Sequence, residues 1–253
     1  MPTPTQSADR RIGDLIETLF KHPRRRYGYR RLGEELAEAG EVCAPDRIRR
    51  IMRQRGLRAL QPKSCAPKTS DGRAAKPSPN LLLDQPLPAR PDLVWAGDIT
   101  FIPTAAGWLY LAVVIDLCSR KIVGWFLADP RRADLVSKAL QQALGSRRAT
   151  PGLIFHSDRG SQYGSGTFRE LLREAGRRQS MSARAHPYHN AWTESFLGTL
   201  KTERLQDGSF IAHADANIEL FADIESYYNT HRKHSALGYK TPATFETPIN
   251  STH

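Results

Sequence analysis

The sequence predicts an α/β fold, a mixed sheet with helices on both faces, preceded by a small all-helical domain. Three observations lead there. Apolar residues recur at helical spacing as far as Gly56, a proline-rich stretch follows, and from Val94 onward the pattern changes to short β-branched and aromatic runs interleaved with further helical stripes.

In the first 60 residues, Ile12, Leu15, Ile16, Leu19 and Phe20 mark an amphipathic helix over 9–21 that Pro23 stops. Leu32 and Leu36 begin a second stripe ending at Gly40, and Ile48, Ile51 and Met52 a third ending at Gly56, glycine being a favoured C-cap residue. Three short helices with a tight turn between the last two have the form of a helix-turn-helix domain over 1–60. In the third, the apolar stripe leaves Arg47, Arg50 and Gln54 on one flank and Arg49 and Arg53 on the other, the cationic surface of a groove-reading helix. Arg24, Arg25, Arg26, Arg30 and Arg31 add capacity for phosphate contact.

The charge supports this division. Residues 1–80 hold 18 Lys/Arg against 9 Asp/Glu, so +9 of the formal net charge of +11 lies there. Such an excess marks a partner rich in phosphate or acidic lipid, although a solvated face that keeps the chain soluble has the same composition.

Residues 61–92 carry Pro62, Pro67, Pro77, Pro79, Pro86, Pro88 and Pro91 among Ser, Lys and Asp, the composition of a linker. Strands follow at Val94–Ile102, Trp108–Asp116 and Lys121–Ala128, then a helix over 133–144, a strand over 153–155 and a helix over 167–175. Three antiparallel strands, a crossover helix and a further strand give the ribonuclease-H-like order, with other α/β sandwiches also compatible. Cys43, Cys65 and Cys118 show neither disulfide nor zinc spacing, which fits a reducing cytosol. No run approaches the ~20 apolar residues of a membrane span, and the start of the chain lacks a secretion signal.

Three acids stand out in this second region. Asp98 interrupts the apolar run Val94–Ile102, where an unmatched charge is costly, unless it faces solvent from a half-exposed strand. Asp158 ends the strand before the loop Arg159-Gly160-Ser161-Gln162-Tyr163, at a sheet edge where ligand sites form, and by itself is equally a turn residue. Glu194 lies 36 positions later on a helical segment whose apolar side is Trp192, Phe196 and Leu200, with Glu194, Gly198 and Lys201 opposite. Carboxylates gathered from distant positions are what phosphodiester cleavage by two Mg²⁺ requires, the ions roughly 3.5–4 Å apart. Asp116 closes a strand before the turn Leu117-Cys118-Ser119-Arg120 and reads as a hairpin residue, and His156 as a packed, hydrogen-bonded one.

These stretches resemble, residue by residue, the integrase-core transposases of bacterial insertion sequences, specifically the second-frame (OrfB) protein of the IS3 family. The matching pieces are Trp95-x-x-Asp98-Ile99-Thr100, His156-Ser157-Asp158-Arg159-Gly160-Ser161-Gln162-Tyr163 and Asn190-Ala191-x-x-Glu194-Ser195-Phe196, with thirty-five residues between the second Asp and the Glu. Tyr27-Gly28-Tyr29-Arg30-Arg31 and Tyr228-Asn229-x-x-Arg232-x-His234-Ser235-Ala236-Leu237-Gly238-Tyr239-x-Thr241-Pro242 extend the resemblance to roughly residues 22–249. Between them, Ala185, His186 and His189 stand where the family usually has Gly, Asn and Asp.

The resemblance implies a ribonuclease-H-like integrase core over 93–249, with a mixed five-stranded sheet, and Asp98, Asp158 and Glu194 as catalytic metal ligands. It implies two Mg²⁺ ions, with Mn²⁺ as a substitute, acting in strand cleavage and strand transfer through circular element intermediates. Expected partners are double-stranded DNA at element ends and target, further copies of the chain on DNA, and the upstream OrfA protein; the expected location is the bacterial cytoplasm at the nucleoid. DNA contacts are expected from Arg26, Tyr29, Arg30, Arg47, Arg50, Arg53, Arg184, Lys201, Arg232 and His234. A retroelement integrase or nuclease with the same core is the alternative enzyme, disfavoured because the N-terminal residues lack the paired His and Cys of an integrase zinc domain. A non-catalytic DNA-binding regulator is the third reading, disfavoured by the three acids.

Overall fold

The computed structural model describes residues 3–21, 26–60, 77–129, 134–182, 191–204 and 210–250, and divides into two compact units, Met1–Lys63 and Ser64–His253. The first consists of α1 (Pro4–Lys21), α2 (Tyr29–Glu38) and α3 (Pro45–Gln54). Its core is the apolar stripes already noted: Ile12, Ile16, Phe20, Leu32, Leu36, Ile48, Ile51 and Met52 are all buried.

α2 and α3 close in the same way. Gly40 and Gly56 adopt left-handed φ of +83° and +66°. This lets Glu41 N–H reach Leu36 O and Leu57 N–H reach Met52 O, both at 2.8 Å, satisfying carbonyls of the last turn. α1 starts well before its apolar stripe. Thr3 and Gln6 form a reciprocal cap there, Gln6 N–H donating to Thr3 Oγ1 at 3.2 Å and Thr3 N–H to Gln6 Oε1 at 2.8 Å.

The second unit is built on a five-stranded sheet in the order β3-β2-β1-β4-β5. β1 (Val94–Thr104), β2 (Gly107–Asp116) and β3 (Ile122–Ala128) form an antiparallel meander. β4 (Ile154–Ser157) lies parallel to β1, and β5 (Arg178–Met181) parallel to β4. α4 (Leu135–Ser146) and α5 (Gly166–Glu174) cover one face, where Trp95, Leu140, Phe155 and Phe168 pack together. The other face takes α6 (Ala191–Arg204), α7 (His213–Phe221) and a π-helix over Ala222–Tyr228, with Ile102, Leu111, Phe196, Leu200 and Ile224 in the core. A short 3₁₀ turn (Ser235–Leu237) and α8 (Pro242–Asn250) complete the described chain.

Both sheet edges are closed without a further strand. Along β5, Leu81 N–H donates to Ser180 Oγ at 2.9 Å and Met181 N–H to Pro79 O at 3.3 Å, so part of the proline-rich stretch lies against the sheet. Proline composition alone does not report this, because the contact rests on backbone groups that any residue carries. Along β3, the Asn229 side chain accepts from Ile122 N–H at 2.9 Å and donates to Ile122 O at 3.0 Å. Gln142 Oε1 accepts Trp125 N–H at 2.6 Å, and Ser146 Oγ donates to Val123 O at 2.9 Å. Side chains thus occupy backbone groups that would otherwise template another strand.

α4 lies directly on Gly124 of β3. A methyl group placed there would come within 2.3 Å of Ala139 O and 2.8 Å of Ala143 N, both backbone atoms that cannot swing aside. Gly124→Ala is therefore expected to destabilise the core by about 2–3 kcal/mol through overpacking, read as a lower urea midpoint at unchanged m-value.

Candidate active site

The parallel register of β1 with β4 sets the first pair of acids. Val94 faces Ile154, Trp95 faces Phe155 and Ala96 faces His156. Asp98, within β1, and Asp158, the residue after β4, each lie two positions beyond the last of these pairs, so the register brings both to the same end of neighbouring strands. Val94 and Ala96, which share Asp98's side of the pleat, belong to the core beneath α6, which puts Asp98 on the α6 face.

Asp98 is 9% exposed, and its Oδ1 accepts the N–H of Ile99 at 2.8 Å. Burial, then the negative charge of Asp158 and more weakly that of Glu194, pushes its carboxyl up to about 7, opposed by the Ile99 N–H and the Lys201 ammonium. Asp158 is half-buried, and its Oδ1 accepts Gly160 N–H at 2.9 Å, the local bond of a turn aspartate. Behind the pair, Tyr163 is fully buried, and its phenol is pushed well up by burial and by the charges of Asp98 and Asp158. Gly97 makes room for it: a Cβ there would stand 3.1 Å from Tyr163 Oη and 2.5 Å from Phe155 Cζ.

Glu194 reaches the site from α6. Thr193, Phe196, Leu197 and Leu200 form the buried arc of this helix, and Glu194 and Lys201, seven residues and so about two turns apart, share its rim. Leu197 and Thr193 complete an arc of which the sequence pattern had offered only the Trp192, Phe196 and Leu200 side. Glu194 is exposed; its carboxyl is raised by partial burial and by Asp158. Lys201 is half-buried; its ammonium is lowered by burial, opposed by Asp98.

The three acids therefore feel one another's charge. Among the described residues, however, no three His, Cys, Asp or Glu side chains stand close enough to hold one metal ion. Like charges repel, and Glu194, on the exposed border of its helix, is the member least held by packing. The donor set itself, three carboxylates without thiol or imidazole, suits a hard divalent cation, and the buried, charge-raised Asp98 suits a site that cationic charge would relieve.

Two other groups take structural places. Asp116 is fully buried and accepts N–H bonds from Asp92 (2.7 Å), Cys118 (2.9 Å) and Ser119 (2.8 Å), as a hairpin residue does. His156 is also fully buried, its Nδ1 2.8 Å from Ser180 Oγ on β5.

Several cations expected at DNA are engaged elsewhere. Arg232 is 6% exposed and pairs with Glu203 at 2.9 Å, fastening the segment after the π-helix to α6. Arg26 is buried in the helical unit. Arg47 and Arg50 both bind Asp9 of α1, at 2.8 and 2.6 Å, and their hydrogen bonds hold the Asp9 carboxyl below the usual range. That flank of α3 faces α1, whereas Arg49 and Arg53 on the other flank are exposed. Arg30 is exposed and lies 5.3 Å over the half-buried Tyr29 ring; His234 is half-buried, edge-on to Tyr228 at 4.9 Å. Arg184, Ala185, His186 and His189 lie outside the described residues, as do Arg24 and Arg25. Helical spacing identifies which residues share a flank; it does not say which flank meets the neighbouring helix.

Comparison with known proteins agrees with this architecture. Two integrase core domain models match residues 88–187 and 175–242, and an HTH-like domain model matches residues 7–64. The chain is 40% identical over 242 residues to the transposase for insertion sequence element IS904 of Lactococcus lactis, covering 95% of this chain and 96% of that protein. It is 38% identical over 232 residues to the transposase InsF for insertion sequence IS3A of Escherichia coli, covering 92% of this chain and 81% of that one. A chain of the simian T-cell lymphotropic virus intasome has the same fold, with a TM-score of 0.50 and 17% identity over 85% of this chain and 70% of its own. The helical unit, the five-stranded core and near full-length identity to insertion-sequence transposases make this chain a member of the IS3 family of transposases.

Proposed function

We propose that Asp98, Asp158 and Glu194 are the catalytic carboxylates of this transposase, acting on double-stranded DNA at element ends and then at a target. The observation that carries the reading is the buried Asp98, placed level with Asp158 on adjoining strands and within electrostatic reach of Glu194. In the first step water displaces the 3′-oxygen of one strand, leaving a 3′-hydroxyl and a 5′-phosphate. In the second that hydroxyl attacks another phosphodiester, forming one bond as it breaks one. Two Mg²⁺ ions held by these carboxylates, or Mn²⁺ in their place, would relieve charge on the non-bridging oxygens and stabilise the entering and leaving oxygens.

The chain's own groups set the rest. With cations bound, Asp98 would stand as a carboxylate beside Asp158 and Glu194 would complete the donor set from α6, while Lys201 would offer its ammonium to a backbone phosphate. The helical unit holds DNA through Arg30, Arg49 and Arg53, while the Asp9 clamp fixes the position of α3 through Arg47 and Arg50. Assembly of further copies on DNA, a complex with the upstream OrfA protein and residence at the nucleoid belong to the same reading.

Asp158→Asn is expected to reduce Mg²⁺-dependent strand transfer about a thousandfold or more while leaving DNA affinity unchanged, measured on labelled element-end duplexes beside gel-shift titration. Retained activity would end the assignment.

Asp98 also gives a pH signature without metal. Its carboxyl is raised from an ordinary 3.8 to about 7, so the folded chain binds the extra proton between those values and loses stability as pH rises through them. In chelator, Asp98→Asn is expected to stabilise the core by about 2–4 kcal/mol at pH 8, with the gain shrinking toward zero near pH 4. Unfolding curves at several pH values check this.

In the helical unit, Arg53→Ala is expected to weaken DNA binding and reduce the salt slope by about one. Arg47→Ala is expected instead to lower the unfolding midpoint of the isolated unit's transition in differential scanning calorimetry of the full chain.

A further inference from the structure

The two ends of α6 are secured very differently. Its C-terminal end carries ion pairs from Arg204 to Glu219 (2.9 Å) and Asp223 (3.2 Å), and from Glu203 to Arg232 (2.9 Å). Its first turn, which bears Glu194, meets Arg120 of the β2–β3 turn, whose guanidinium lies over the Trp192 ring at 3.8 Å from the centroid. That spacing is well inside the ~6 Å range of a cation–aromatic stack.

Arg120 is costly to keep where it is. Its φ of +62° is left-handed, a conformation in which glycine would be easier. It is only 8% exposed, and its Nε and Nη1 are buried without hydrogen-bond partners among the described residues. Hairpin formation does not need this side chain, because Asp116 already binds the turn's N–H groups and the backbone N–H of Arg120 donates to Asp116 O at 2.9 Å. A residue held in unfavourable backbone geometry with an incompletely satisfied buried charge points to a side chain retained for another purpose. Its guanidinium stacks on Trp192, two residues before Glu194.

We propose that Arg120 is a positioning residue for Glu194, acting through Trp192: the flat stack sets the rotation and reach of the first turn of α6, and so the position of the third carboxylate relative to Asp98 and Asp158. The inference rests on the reading of those three acids as a cation site. Lysine keeps the charge but loses the planar face, so Arg120→Lys separates stacking from electrostatics. Phenylalanine at 192 keeps an aromatic face of lesser attraction.

The test is a double-mutant cycle of Arg120→Lys and Trp192→Phe in the full chain, reading Mn²⁺ affinity by electron paramagnetic resonance, unfolding temperature, DNA affinity and the Mg²⁺ dependence of cleavage. Each single variant is expected to stay folded, to bind DNA as before and to weaken Mn²⁺ binding about tenfold, as loss of an outer partner of a metal ligand does. The double variant is expected to lose less than the sum of the two single losses, since both weaken the same stack. Additive losses, or Mn²⁺ affinity unchanged in Arg120→Lys, would overturn the inference while leaving the carboxylate assignment in place. Failure of the unaltered chain to bind Mn²⁺ would overturn both. Should Arg120→Lys fail to fold, Trp192→Leu, which removes the aromatic face, decides: Mn²⁺ affinity intact in that folded variant overturns the inference.

Discussion

The rest of the second unit depends on the parallel pairing of β4 with β1. Three residue pairs, from Val94 with Ile154 to Ala96 with His156, fix where β4 ends relative to β1 and so bring Asp158 level with Asp98. A slip of one residue would turn the side chains of β4 to the opposite face, removing Phe155 from its contacts with Tyr163 and Phe168. The aromatic cluster beneath the sheet therefore specifies the register, and the register places the acids. Packing on the α5 face and charge on the α6 face are two consequences of one strand alignment.

That alignment explains why an expensive group can persist in the core. A carboxyl raised to about 7 is a destabilising element, and marginal folds discard such elements when nothing retains them. The surrounding sheet tolerates it because the load is local. Ile99 N–H supplies one hydrogen bond, Lys201 supplies opposing charge, and the flanking strands β1 and β2 are almost wholly buried. Rigidity around the site and strain within it belong together.

The sequence made some of this readable and not the rest, for physical reasons. The strands β1 to β3 carry long apolar runs, and α1 to α3 carry regular stripes, so periodicity reports them directly. β5 is four residues, Arg178–Met181, with no apolar run; its existence depends on pairing with β4, a non-local fact that only the family resemblance supplied. The acids Asp98, Asp158 and Glu194 were visible as residues, but the burial of Asp98 against the exposure of Glu194 was not, since helix-face arithmetic gives direction without depth. The cations were harder. Arg232 and Arg53 look alike along the chain, yet one is buried against Glu203 and the other lies on an exposed helix flank. An arginine's partner is chosen by tertiary structure, and basic composition counts both as the same charge.

α6 shows how such hidden pairings bear on chemistry. A helix pinned at both ends by ion pairs would fix Glu194 as firmly as β1 fixes Asp98. Here the firm anchors are at Glu203 and Arg204, while the first turn meets the β2–β3 turn through the stack of Arg120 on Trp192. Ion pairs have definite donors and acceptors, whereas a planar stack holds two faces parallel and so sets the orientation of the turn that carries Trp192. On the proposed reading, an assembly of this kind sets where Glu194 stands relative to Asp98 and Asp158 while the core that holds those two stays unchanged.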